Sequence, residues 1–248
     1  MDTFKQKIKG FFAYAWECIK GSFTPGLTYA TAGALLFMFI LNDEKAFGEQ
    51  LPLCILVMIC ALAYNALIAW GYGGMNYEML ASGNMKRMTS DLYGNSYKIS
   101  SHTYVKEYRP WKGFVMGALA CLVTIVFVIF FGANQEEIST IFLGELKFTD
   151  LNAFSTAVLI GILLSGWALL PFVCAINAGY IVSYYVALPI AILPIFVFGG
   201  MYIAGAYAKR NKRIRAQEAA DKAAAQAAAK PKKINYGGLP GTKPRKRK

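Results

Sequence analysis

Long apolar runs separated by short polar stretches define this chain. Residues 151–208 contain no Asp, Glu, Lys, Arg or His, and Lys209-Arg210 then ends the run. About 20 apolar residues span the hydrocarbon core of a bilayer, so an uncharged stretch this long predicts membrane-embedded helix. Three earlier runs read the same way. Residues 27–41 form a short first span, residues 51–77 a second that is long enough to cross with tilt, and residues 112–132 a third. Pro52 suits the first turn of the second span, and Trp111 stands where an amphipathic ring favours the membrane interface.

Ahead of the first span, residues 1–20 place Phe4, Ile8, Phe11 and Phe12 on one helical face and Lys5 and Lys9 elsewhere. This pattern predicts an interfacial amphipathic helix, parted from the span by Thr24-Pro25-Gly26. A secretory signal fits poorly, because the apolar centre is short and is interrupted by Glu17 and Lys20, so the segment is expected to be retained. Residues 78–112 are a polar loop with six cations and three acids, and residues 134–150 a loop with four acids and Lys147. The expected organisation is an interfacial segment (1–24), a transmembrane domain (25–208) with the loop 78–112, and a tail (209–248). The fold class is all-α, a polytopic helical membrane bundle.

Composition agrees, with 56% hydrophobic and 16% charged residues where soluble domains carry nearer a quarter charged. Charge changes the picture more. The net +12 lies wholly in residues 209–248, which hold 14 Lys and Arg against Glu218 and Asp221, while residues 1–208 balance. Any electrostatic partner therefore belongs to the tail.

Lys and Arg near span ends stay on the cytoplasmic side. Residues 1–20 and the loop 78–112 hold ten of them, and the other two loops only Lys45 and Lys147. This predicts a cell-membrane protein with a cytoplasmic N-terminus, loop and tail. Residues 151–208 must then cross an odd number of times. As helix they extend roughly 87 Å, nearly three crossings of a core about 30 Å thick. Pro171, Pro189, Pro194 and Gly199-Gly200 offer break points for one crossing plus a re-entrant pair. The expectation is about five or six spans, with six crossings, or four and a re-entrant hairpin, ahead of five.

Candidate chemistry is sparse. The sequence has no GxSxG serine, Walker loop or HExxH pair, and its five cysteines form no CxxC; His102 is the only histidine. No enzymatic activity, metal or cofactor is expected. Asn65 and Asn177 are the polar residues of interest within the spans, read as helix-packing hydrogen bonders with a solute contact as the alternative. Small residues four apart, at Gly26/Ala30/Ala34, Gly113/Gly117 and Gly200/Ala204/Ala208, favour close packing within the chain.

The tail begins RNKRIRAQEAADKAAAQAAAK, rich in strong helix formers without an apolar stripe, and should continue the last span as a solvated helix up to Pro231. Residues 231–248, with three prolines and three glycines, should be disordered when unbound. Lys232, Lys233, Lys243, Arg245, Lys246, Arg247 and Lys248 are the candidate partner-binding cations. Anionic lipid, RNA or the ribosome are the polyanions they suit, with a further protein partner in the membrane. In outline, several spans followed by a basic tail resembles the membrane insertases whose C-terminal tails meet the ribosome. Those insertases keep a cation in an intramembrane groove, and no predicted span carries one. The expected function is that of a non-enzymatic anchor, scaffold or assembly factor; the alternative is a small-solute transporter or a membrane subunit of one.

Overall fold

A computed structural model describes residues 2–42, 47–81, 88–90, 96–98, 107–143 and 152–229. Six α-helices carry the architecture: α1 (Asp2–Asn42), α2 (Leu51–Ala81), α3 (Pro110–Ala133), α4 (Gln135–Leu143), α5 (Ala153–Asn177) and α6 (Ala187–Ala229). Short 3-10 turns at Phe47–Gln50 and Tyr184–Val186 lead into α2 and α6. Within the polar loop, β1 (Met88–Ser90) pairs antiparallel with β2 (Ser96–Lys98), a small departure from an all-α chain. Five helices, all but α4, are long and apolar enough to cross a membrane. The chain divides into two compact units, Met1–Lys209 and Arg210–Lys248, each described by itself.

The expected break at Thr24-Pro25-Gly26 is not there, and α1 runs through Pro25 without interruption. Proline deprives a helix of one hydrogen bond and crowds the carbonyl four residues back. Packing overrides this, because α3 supports α1 on both sides of Pro25, with Met116 against Gly21 and Ala120 against Gly26. The hydroxyls of Ser22, Thr28 and Thr31 donate to carbonyls within their own helix (Ile19, Thr24 and Thr28), which satisfies these three donors without water. Part of the predicted acidic loop is also helical, as α4, whose Ile138 and Phe142 are buried.

Pairwise contacts fix the directions of the long helices. α1 and α3 are parallel, meeting at Tyr14 and Trp111 (ring centroids 4.7 Å apart), then Gly21 and Met116, then Gly26 and Ala120. α6 runs antiparallel to α3, with Tyr185 beside Gly132, Ile195 beside Gly117 and Tyr202 beside Gly113. α2 runs opposite to α1, since its early Cys54 clusters with Leu36, Phe37 and Ile40, and its late Asn76 reaches Tyr202. One end of the bundle, here the lower, therefore gathers Tyr14, Asn76, Trp111 and Tyr202. The upper end gathers Ile40, Cys54, Phe131 and Tyr184.

α5 breaks this alternation. Its first turn lies against the upper end of α3, with Phe154 and Phe130 centroids 5.7 Å apart. Its middle reaches Thr124, where Trp167 Nε1 donates to the threonine hydroxyl at 3.2 Å, and Tyr29, which stacks on Trp167 at 4.3 Å. Its last turns return upward, and Cys174 Sγ stands 3.5 Å from Cys54 Sγ. Gly179, at φ +90°, then turns the chain, and Ser183 donates to Gln135 Oε1 at 2.8 Å beside the top of α3. Thr124 lies seven residues below Phe131, about 10 Å along α3. α5 is thus a wedge sunk to mid-depth with both ends at the top. Pro171 lies within it and removes one hydrogen bond from its ladder.

Only α1, α2, α3 and α6 run from end to end. Residues 151–208 supply two helices long and apolar enough to cross, α5 and α6, where three crossings or a re-entrant pair of half-helices were expected, and α5 is a single proline-containing helix. α5 is also the most enclosed helix, with Trp167, Leu169, Leu170, Val173 and Cys174 all inaccessible. Its freedom from charge reflects burial in protein as much as contact with lipid. Large apolar side chains left exposed on the other helices, Phe11, Phe23, Leu35, Phe39, Leu67 and Phe196 among them, face outward as a lipid-embedded bundle requires.

Helix contacts are close where glycine permits. At Gly33, a Cβ would lie 2.9 Å from the Gly166 amide nitrogen, so α1 and α5 touch backbone to backbone. At Gly73 and Gly205, a side chain would strike the backbone of the other helix, α6 or α2. Such approach, rather than a hydrophobic drive, is what joins helices within lipid. Of the sequence's small-residue rows, Gly26, Gly113 and Gly117 pack within the chain, whereas Gly200 faces open space.

Candidate functional site

The lower end holds a cluster of polar and aromatic groups built from four segments. Asn76, near the end of α2, donates from Nδ2 to the Tyr202 hydroxyl of α6 at 2.9 Å, and its carbonyl accepts from the Tyr108 amide at 3.0 Å. Tyr108 stacks on Tyr202 with ring centroids 5.4 Å apart. These contacts pin the chain segment entering α3 onto α2 and α6. Burial raises the Tyr108 hydroxyl above its ordinary range, with Tyr207 adding to the shift, so it is neutral at physiological pH.

From this pinned entry project Glu107, Arg109 and Lys112. Glu107 is buried, and Lys112 is fully enclosed in the first turn of α3. The Tyr14 ring of α1 carries two cations, with Arg109 Cζ at 5.1 Å and Lys112 Nζ at 5.7 Å from its centroid. The electron-rich faces of aromatic rings attract such cations, more so away from water. Glu78 and Lys209 close the cluster as an ion pair at 2.7 Å, exposed on both sides. The arrangement sets three cations, Arg109, Lys112 and Lys209, beside two acids, Glu107 and Glu78, at one end of an apolar bundle.

Sequence reasoning took Lys112 as the opening residue of a span and missed this cluster. The available signal was the run Glu107-Tyr108-Arg109-Pro110-Trp111-Lys112, where charge and aromatic residues alternate just before a long apolar helix.

The two asparagines singled out within the spans are not brought together. Asn65 is 1% exposed and approaches the Tyr29 hydroxyl at mid-depth, but neither of its side-chain polar atoms reaches hydrogen-bond geometry. Ser165 Oγ, on α5, is likewise buried without a partner. Asn177 belongs to the upper end, where its Nδ2 donates to the Val173 carbonyl at 2.8 Å, closing the last turn of α5.

Lys232, Lys233, Lys243, Arg245, Lys246, Arg247 and Lys248 lie outside the described residues, as does His102. Of the tail, residues 210–229 are described; they continue α6, and their side chains are exposed up to residue 228. Among the described residues, no group of three or more His, Cys, Asp or Glu could hold a metal ion. No protein-family model, characterised protein or solved structure matches this chain.

Proposed function

We propose that this is a multi-pass scaffold or assembly factor of the cell membrane, with its basic tail engaging an anionic partner in the cytoplasm. The observation that carries this reading is the return of α6 to the lower end, marked by the Lys209 to Glu78 pair at 2.7 Å. With four helices running end to end, Tyr14, Asn76, Trp111 and Lys209 share one end, and we read the sequence segments adjoining them, 1–20, 78–112 and 209–248, as belonging to one side of the membrane. That side then holds 24 of the 26 Lys and Arg against seven acids; the other holds Lys45 and Lys147 against seven. So lopsided a distribution, about +17 against −5 in formal charge, is what retention of cations on the cytoplasmic face produces.

Residues 231–248 carry seven cations, which suit phosphate groups of RNA, the ribosome or lipid. The decisive test deletes residues 231–248 from the full chain and measures its association with ribosomes, RNA and anionic vesicles over a salt series. Loss of association with normal membrane insertion supports the scaffold reading. Binding that persists in the deletion, or that does not weaken with salt, rules it out.

A small-solute transporter is the second reading. It rests on Asn65 and Ser165, whose buried, unsatisfied polar atoms at mid-depth are the kind a solute or an ordered water satisfies. Asn65→Leu should abolish flux of a transported solute, whereas a scaffold would keep its tail-dependent association.

A further inference from the structure

A groove follows the outward seam between the parallel helices α1 and α3. Its lower stretch, about 620 Å³, is walled by Phe11, Tyr14, Cys18, Trp111 and Val115, with Arg109 at the bottom. A second stretch of about 300 Å³ continues past Ile19 and Leu119, which border both, and ends beside Thr124 and Leu164. From Trp111 to Val123 the groove follows α3 for about 18 Å. Half of a hydrocarbon core is about 15 Å. The groove is therefore one leaflet deep, apolar along its length and cationic at its base.

We infer that this groove holds one membrane phospholipid with an anionic headgroup. One acyl chain lies along α3 toward Thr124, and the phosphate sits at Arg109. Charge complementarity sets the headgroup. Arg109 lines the base, and it and the enclosed Lys112 both lie over the Tyr14 ring, two cations against Glu107 in the segment entering α3; Lys20, 5.5 Å from the Trp16 ring, lies higher on α1. Trp16 and Trp111, about half exposed, mark the level of the interface, where such rings favour a mixed environment. Volume sets the occupant. A helix about 10 Å across would need about 1,400 Å³ over the same 18 Å, more than the two stretches offer together. A single hydrocarbon chain fits.

The test uses the full-length protein, stripped of lipid in a non-ionic detergent. It is titrated with phosphatidylglycerol or phosphatidylcholine of identical chains, and adducts are counted by native mass spectrometry. The first adduct should form with phosphatidylglycerol at about fivefold lower concentration than with phosphatidylcholine, the preference one cation near a membrane gives. Ala15→Trp, which fills the groove from α1, should remove that first adduct, and Val115→Trp should do so from α3. Two variants from opposite walls keep the result independent of one misfolded protein, and melting temperature monitors both.

Arg109→Gln should bring the two lipids to equal affinity. The tail is present throughout, so changes among these variants report the groove. A first adduct that survives both tryptophan variants, or a preference unchanged in Arg109→Gln, overturns the proposal. Displacement of the lipid by excess inorganic phosphate would show a simple anion site and also overturn it. So would a dimer that Ala15→Trp converts to monomer, because the groove would then hold a second copy of the chain.

Discussion

Cys54 Sγ and Cys174 Sγ lie 3.5 Å apart although 120 residues separate them in sequence. The first belongs to the start of α2 and the second to the end of α5, and both are wholly buried. If α5 crossed the bundle, Cys174 would lie a membrane core away, about 30 Å from Cys54. A lipid-soluble copper–phenanthroline catalyst with dissolved oxygen should therefore join the two thiols, the oxygen accepting their electrons and protons. Peptide mapping under non-reducing conditions should recover the 54–174 disulfide. Absence of the bond after exhaustive oxidation would show that the end of α5 is elsewhere.

Closeness also makes α1 and α5 intolerant of added volume. Gly33→Val places methyl groups where the Gly166 amide already lies 2.9 Å from a Cβ. Overpacking of this kind costs about 1–3 kcal/mol. A lowered melting temperature in detergent is the expected result, with Gly200→Ala, which faces open space, close to wild type.

Tyr202→Phe leaves the buried Asn76 amide without its hydroxyl partner. An unsatisfied buried donor costs about 1–3 kcal/mol. Glu78→Gln is the contrast. The Glu78 and Lys209 side chains are 57% and 45% exposed, so losing their ion pair should change stability by no more than about 1 kcal/mol despite its 2.7 Å length. Thermal unfolding of the two variants side by side should show the hydrogen bond outweighing the salt bridge.

The proposed sidedness joins four end-to-end helices to the retention of cations on the cytoplasmic face. In a cysteine-free background, a cysteine replacing Glu136, exposed at the upper end, should react with an impermeant thiol reagent in intact cells. One replacing Thr242 should react only after permeabilisation. Reaction of both in intact cells would mean that α5 crosses and that the tail lies outside.

Much of this arrangement is legible in sequence, because lipid solvation leaves a plain record. The runs that became α2 and α3 stand within a few residues of their observed bounds. Hydropathy fails at α5, because Leu169, Leu170 and Val173 would be apolar whether they faced lipid or protein. Pro25 misleads for the opposite reason. Its local cost is real, but contacts from α3 outweigh it, and those contacts are long-range. The lower cluster escapes for a similar reason. Lys112 sits beneath Tyr14 only because α1 and α3 are parallel, a relationship that no window of sequence contains.

The placement of α5 sets an order of assembly. α1, α2 and α3 can each settle into a bilayer as they are made, since each spans it and satisfies its own backbone. When α5 follows, part of its wall does not yet exist, because Ala187 and Ala191 of the cluster around Leu170 and Cys174 come from α6. The wedge can seat firmly only after the last long helix has been synthesised. α6 is then the latch of the bundle, and a chain cut short before residue 187 has every end-to-end helix but one and no means of holding its centre.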